Sequence, residues 1–162
     1  YGAVAMAMGK YDTAQICLNG HVVNDSAEDF PHRNQTYCSE CGSKTITKCP
    51  ACGCPIRGHI RSVLWVRTIP TPAFCINCGQ AYPWTHSRLE AAKVLVEETE
   101  SLDQAEKQKL SESLADLVAD TPMTPVAATR FKRLMQKIGP AAAKAFQEVL
   151  VSVMTEAAKR QV

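Results

Sequence analysis

The chain lacks any long apolar run. Nothing in its 162 residues approaches the ~18 to 20 apolar residues of a membrane span. Nor does it open on a basic end followed by an apolar core, as a secretory signal does. A cytoplasmic location is therefore expected, with neither membrane insertion nor export. Aromatic residues are scarce, at 6%, yet 46% of the chain is apolar. That combination belongs to globular rather than disordered sequences. No low-complexity tract is present. Cysteine is absent after Cys78, and Asp and Glu are absent from residues 42–89. Most of the nine prolines and eight glycines also precede residue 84, whereas the remainder is rich in Ala, Leu, Val, Glu and Lys. These shifts predict two unlike halves.

Seven of the eight cysteines fall into four short hooks: Cys17-Leu18-Asn19-Gly20-His21, Cys38-Ser39-Glu40-Cys41, Cys49-Pro50-Ala51-Cys52 and Cys75-Ile76-Asn77-Cys78. Two cysteines separated by two residues are poor disulfide partners but share one metal ion readily. Eight ligands suit two tetrahedral zinc ions, so two structural Zn2+ are the expected cofactors. Glycine follows the second cysteine at Gly42, Gly53 and Gly79, where a metal-binding turn calls for positive φ. The first hook departs from this pattern, with three residues between its ligands and His21 as the second.

The hooks are separated by 16, 7 and 22 residues. Seven residues are short for the two ends of one ribbon and natural as a link between two. The expected metal ligands are therefore Cys17, His21, Cys38 and Cys41 for one ion, and Cys49, Cys52, Cys75 and Cys78 for the other. The alternative is a cross-brace, first hook with third and second with fourth, as in RING-like protein binders. Cys54 could replace Cys52, but its spacing from Cys49 is longer and Cys52 carries the glycine. His32, His59 and His86 read as surface or satisfied histidines. Both sites are filled by protein donors, which leaves no open position for catalysis. No catalytic residue is assigned.

Around the hooks, residues 10–18 and 22–23 read as a small hairpin, residues 24–34 as a polar loop, and residues 44–48 as a strand. Residues 55–58 read as a turn, and residues 61–69 as the best strand candidate, being rich in β-branched and aromatic residues. From residue 87 the period becomes helical. Four helices are expected, at about 87–98, 102–119 with Ser101 as cap, a third from Thr124 and Pro125 to the stop at Gly139, and 141–159. The fold class is α+β: a zinc-stapled β-hairpin half, then a four-helix half. Residues 1–9 read as a tag remnant or disordered start, 10–86 as a double zinc-ribbon domain, and 87–162 as a helical domain.

Three pieces of sequence carry a resemblance: residues 12–21 (Asp-Thr-Ala-Gln-Ile-Cys-Leu-Asn-Gly-His), residues 55–58 (Pro-Ile-Arg-Gly) and residues 78–85 (Cys-Gly-Gln-Ala-Tyr-Pro-Trp-Thr). With the Cys38–Gly42 and Cys49–Gly53 hooks between them, they resemble a bacterial zinc-ribbon family of unknown function over about residues 8–88, with a similar helical tail. The resemblance implies a bacterial, metal-binding, non-secreted protein. It supplies no catalytic residue.

The formal charge of +2 counts cysteine as neutral. Seven thiolates and two Zn2+ change it by −7 + 4 = −3, to about −1, so net charge does not argue for nucleic acid. Its distribution is more informative. Residues 42–89 carry Lys44, Lys48, Arg57, Arg61, Arg67 and Arg88 without an acid, interleaved with Trp65, Phe74, Tyr82 and Trp84. Lys44, Lys48, Arg57, Arg61 and Arg67 are the candidate partner-binding residues. The competing reading has the tryptophans filling a small core and the arginines solvating its rim. The helical half balances eleven basic against eleven acidic residues, and its last helix offers a wide apolar face for packing or self-association. The expected function is a non-enzymatic binding or adaptor protein. Its partner would be a protein or a second copy, with nucleic acid possible. No membrane and no small-molecule substrate are expected.

Overall fold

The computed structural model describes residues 10–61 and 69–160. The fold is α+β, with short antiparallel strands in the N-terminal half and helices in the C-terminal half. The chain divides into two compact units at Trp84/Thr85.

In the first unit, β1 (Tyr11–Thr13), β2 (Gln15–Cys17), β3 (Val22–Asn24), β4 (Thr45–Ile46) and β5 (Arg57–Ile60) form two small sheets. β2 lies between β3 and β4, and β1 pairs with β5, all antiparallel. Strands this short bury little. Among the described residues of this unit, the buried apolar side chains are Ala14, Ile16, Ala27, Ile56, Tyr82, Trp84 and the first cysteine of each hook. So small an apolar centre is not expected to hold a domain without a staple.

Residues 55–58, expected to turn, instead lead into and begin β5. Gly58 is required there by close approach. A Cβ at this position would collide with the carbonyl oxygen of Asp25 and lie 2.8 Å from the Ala14 nitrogen. β5 can therefore lie against β1 only with a bare backbone at that point. The expected strand over residues 61–69 lies outside the described residues apart from its two ends, as do Trp65 and Arg67. The polar loop before the second hook folds on its own side chains. Asn24 Nδ2 donates to the carbonyl of Phe30 at 2.9 Å and to Asn34 Oδ1 at 2.7 Å, around a 3-10 turn at Pro31–Arg33.

The second unit holds all but the first two residues of α1 (Pro83–Glu98), with α2 (Gln104–Val118), α3 (Thr124–Ile138), α4 (Pro140–Leu150) and a one-turn α5 (Glu156–Lys159). Asp103, not Ser101, caps α2, because it forms a reciprocal capping box with Glu106 that satisfies two otherwise orphan donors. Gly139 ends α3 at φ 89°. The last helix is shorter than its apolar pattern implies. It stops at Leu150, and Thr155 donates its backbone N–H to the Leu117 carbonyl at 3.0 Å while its hydroxyl caps α5. Phe146 and Leu150 of α4 are buried within the unit. Phe146 packs edge-on against Phe131, with ring centroids 6.1 Å apart, and Leu110, Leu114, Leu117 and Leu150 complete a dry core. Among the described residues, no helix is long and apolar enough to cross a membrane.

Candidate metal centres

Each Cys-x-x-Cys-Gly hook folds into the same turn. The glycine N–H donates to the carbonyl of the first cysteine, at 2.8 Å for Gly42–Cys38 and 2.9 Å for both Gly53–Cys49 and Gly79–Cys75. The first cysteine's own N–H donates to the residue after that glycine, namely Ser43, Cys54 and Gln80. The glycines adopt φ of 71°, 74° and 72°, in the left-handed region that side-chain-bearing residues avoid. Both thiols are thereby aimed at one point.

The first hook solves the same problem differently. Its glycine lies between the ligands, with Gly20 at φ 91°, and the Cys17 N–H donates to the His21 carbonyl at 3.0 Å. Gly20 is also a contact point, since a Cβ there would come within 3.1 Å of Trp84 Cβ. Trp84 is fully buried, stacks on Tyr82 with centroids 4.6 Å apart, and donates from Nε1 to the Pro72 carbonyl at 2.7 Å.

The ligand atoms form two groups, each with all four donors within 4.8 Å of one another: Cys17, His21, Cys38 and Cys41, and Cys49, Cys52, Cys75 and Cys78. The pairing is sequential, first hook with second and third with fourth, not a cross-brace. The spacing itself tests the fit to a metal. Four sulfurs ~2.3 Å from a tetrahedral zinc sit ~3.8 Å apart, and a nitrogen at ~2.0 to 2.1 Å lies ~3.5 Å from each sulfur. In the second group, Cys49 and Cys78 Sγ are 3.8 Å apart and Cys52 and Cys75 Sγ 3.7 Å apart. In the first, Cys17 and Cys41 Sγ are 3.7 Å apart, and His21 Nδ1 lies 3.5 Å from Cys17 Sγ and 3.6 Å from Cys38 Sγ. Disulfides would bring sulfurs to ~2.0 Å. The residues fit two tetrahedral metal sites, with Nδ1 as the imidazole ligand.

Backbone donors surround the thiols. The His21 N–H lies 3.3 Å from Cys17 Sγ, and the Asn77 N–H 3.4 Å from Cys75 Sγ. The Ser43 N–H, helped by the Asn19 amide and the Ser43 hydroxyl, lowers the Cys41 thiol to about 5. The Cys78 and Asn77 N–H groups lower Cys75 to about 6. Burial raises Cys17. Burial and the adjacent Cys75 thiol raise the Tyr82 hydroxyl well above its usual value. Such donors favour the thiolate form that a metal requires.

Cys54 belongs to neither group. It is half-buried, and its thiol lies 3.6 Å from the Pro55 carbonyl. His32, His59 and His86 also lie outside both groups. Lys44 and Lys48 are exposed. Arg57 is exposed and stacks on Tyr11, its Cζ 4.2 Å from the ring centroid. Arg61 has a different setting. It meets Glu28 at 2.8 Å, Asp29 at 3.2 Å and Asp12 at 3.6 Å, so three carboxylates already engage it. Asp12, 3% exposed, also accepts from the Glu28 and Asp29 N–H groups at 3.0 and 3.1 Å. Arg61 thus closes the loop after β3 onto β1. The acid-free stretch of sequence concealed this, because Asp12 comes from β1 and Glu28 and Asp29 from the loop after β3, all well before it in the chain. Glu40 is a further residue the motif did not announce. Its carboxylate lies 3.6 Å from His21 Nε2, on the ring nitrogen opposite the ligand.

The chain matches, over residues 10–162, the model of an uncharacterized protein family conserved in bacteria (DUF2321), and it belongs to that family. No curated protein and no solved structure matches it.

Proposed function

We propose that this is a zinc protein without enzymatic activity, acting in the reducing cytoplasm. Two structural Zn2+ hold a rigid surface carrying Lys44, Lys48 and Arg57 for a macromolecular partner. The observation that carries this reading is the completeness of both tetrads. Each supplies four protein donors at the edge lengths of a tetrahedral zinc. A fourth protein ligand takes the position at which a catalytic zinc holds water. Three thiolates and a neutral imidazole leave the first site at −1, and four thiolates leave the second at −2. Soft donors of this kind select zinc over magnesium or calcium.

The first test is elemental analysis with X-ray absorption at the zinc edge. Two zinc per chain are expected, half of them bound by three sulfurs and one nitrogen and half by four sulfurs. One zinc, or oxygen among the ligands, overturns the structural assignment. Cys54→Ser should retain two zinc and Cys52→Ser one. The partner is then sought by in-cell crosslinking of the wild type and of a Lys44→Glu, Lys48→Glu, Arg57→Glu variant. Crosslinks that are lost in the variant while two zinc remain support the surface. Identical crosslinks in both proteins refute it. Absorbance at the nucleic-acid band in the purified protein would identify the partner as nucleic acid.

A further inference from the structure

The eleven basic and eleven acidic residues of the helical half cancel in sum but not in place. Residues 121–147 contain no Asp or Glu, and five of the eleven cations lie there: Arg130, Lys132, Arg133, Lys137 and Lys144. Four of the five are on α3. Arg130, Arg133 and Lys137 are spaced three and four residues apart, so they share one face of the helix. That face looks onto a cavity of about 510 Å³ between α2 and α3, lined by Glu106, Lys109, Arg130, Arg133, Leu134 and Lys137. The volume is within the range of small-molecule sites.

The cavity's single acid is already committed. Glu106 closes the capping box of α2 and holds Lys137 Nζ at 2.6 Å. These two charges cancel. Lys109, Arg130 and Arg133 remain, and among the described residues their side chains make no ion pair or hydrogen bond. Several other lysines of this unit do: Lys93 with Glu90 at 2.8 Å, Lys159 with Glu156 at 2.8 Å and Lys144 with Glu148 at 3.7 Å. The two arginines also border a second depression, of about 440 Å³, nearer the start of α3 beside Pro125, Val126 and Thr129. Their guanidinium groups therefore have room to close on a ligand. Three unopposed cations around one concavity repel each other, and an anion would relieve that.

We infer that the α2–α3 cavity binds the phosphate groups of a phosphorylated ligand, with Arg130 and Arg133 as a paired clamp and Lys109 opposite them. Arginine pairs suit phosphate because each guanidinium presents two parallel N–H donors to two oxygens. From residue 130 to residue 133 the helix rises ~4.5 Å. Two guanidinium groups one helical turn apart can engage separate phosphate oxygens of one oligophosphate chain. Leu134 offers an apolar floor beside them. Two sources share this chemistry, a free oligophosphate compound and the backbone of a nucleic acid.

The test is calorimetric titration of the zinc-loaded full chain with tripolyphosphate, and separately with a short single-stranded oligonucleotide. Saturable one-to-one binding of tripolyphosphate is expected. Arg130→Gln and Arg133→Gln should each weaken it about tenfold, the scale of one charged hydrogen-bonding group. Arg133→Lys should recover only part, since charge is kept and the fork is lost. Lys132→Gln, on α3 but outside the cavity lining, should leave it unchanged. Competition by the oligonucleotide with the same variant pattern identifies a nucleic-acid backbone as the source. Binding of tripolyphosphate alone identifies a free phosphorylated compound. The inference fails if neither probe binds, or if Lys132→Gln weakens binding as much as Arg133→Gln, which would mark unspecific attraction to a basic helix. All three substituted positions are exposed, and helical circular dichroism verifies that the variants fold.

Discussion

Glu40 faces His21 across 3.6 Å, carboxylate oxygen to Nε2, while Nδ1 of the same ring joins Cys17 and Cys38. At that distance the pair is an electrostatic contact rather than a hydrogen bond, and a negative charge beside Nε2 would favour the proton there and leave Nδ1 to bind a metal. Outer partners of this kind are worth about 10- to 100-fold in metal affinity. Glu40 is largely exposed, so the low end applies. Glu40→Ala should weaken the histidine-containing site by about tenfold and the all-cysteine site by much less, read by competition with a chromophoric chelator. Equal affinities in wild type and variant would show that the carboxylate does not orient the ring.

Gly58 makes a second prediction. Backbone occupies the place of its missing side chain, on both the Asp25 and the Ala14 side, and backbone cannot rotate away as a long side chain could. Gly58→Ala should destabilise the first unit by about 1 to 3 kcal/mol, the scale of overpacking. The measurement is thermal unfolding followed through tryptophan fluorescence, since Trp84 is buried in that unit. An unchanged midpoint would mean that β5 can shift off β1 without loss.

Metal removal should separate the two halves. A structural zinc contributes about 10 to 16 kcal/mol of apparent binding free energy, as large as the ~5 to 15 kcal/mol total stability of an ordinary domain. Among its described residues, the first unit has only a handful of buried apolar side chains to set against that loss. The second has a continuous leucine and phenylalanine core. Chelation should therefore unfold residues 11–84 and spare the helices. Loss of helical circular dichroism in step with zinc release would contradict this.

The Glu106–Lys137 pair sets a pH dependence in the helical unit. Lys137, aided by the Asp103 N–H, lowers the Glu106 carboxyl below its usual 4.5. A carboxyl depressed on folding stabilises fully above its unfolded value, and the contribution disappears as pH falls through the folded one. The pair should therefore count at neutral pH and be lost below pH ~4.5. Lys137→Met should raise the Glu106 titration midpoint toward 4.5, measurable by NMR of the side-chain carboxyl. The same midpoint in both proteins would show that the contact is not maintained in solution.

The ligand set was legible in the sequence because it is local. A Cys-x-x-Cys-Gly turn carries its own geometry, and the 7-residue link between the second and third hooks favoured the sequential grouping. The helices were legible too, since their apolar period runs over many residues. What escaped was non-local. Pro-Ile-Arg-Gly reads as a turn because proline and glycine usually make one, yet Gly58 answers to backbone from Asp25 and Ala14. Arg61 reads as a free cation because its own neighbourhood lacks acid, yet Asp12, Glu28 and Asp29 reach it through the fold. The break after Leu150 escaped for the same reason. Its apolar period continues, but Thr155 turns to meet Leu117.

The position of β5 ties the two candidate metal centres together. It belongs to the span between the third and fourth hooks, yet it pairs with β1, and Arg61 just beyond it holds the loop that precedes the second hook. The Ala14 N–H likewise donates to the Ile56 carbonyl at 2.8 Å. The two centres therefore do not belong to separable ribbons, because the strap closed by one lies across the framework of the other. An ion at one centre would then steady the framework of the other, and any such coupling would be equal in both directions. A titration under buffered zinc would then fill the two centres over a narrower range than independent sites would, while a chain stripped of one centre's ligands would still hold one ion, less tightly.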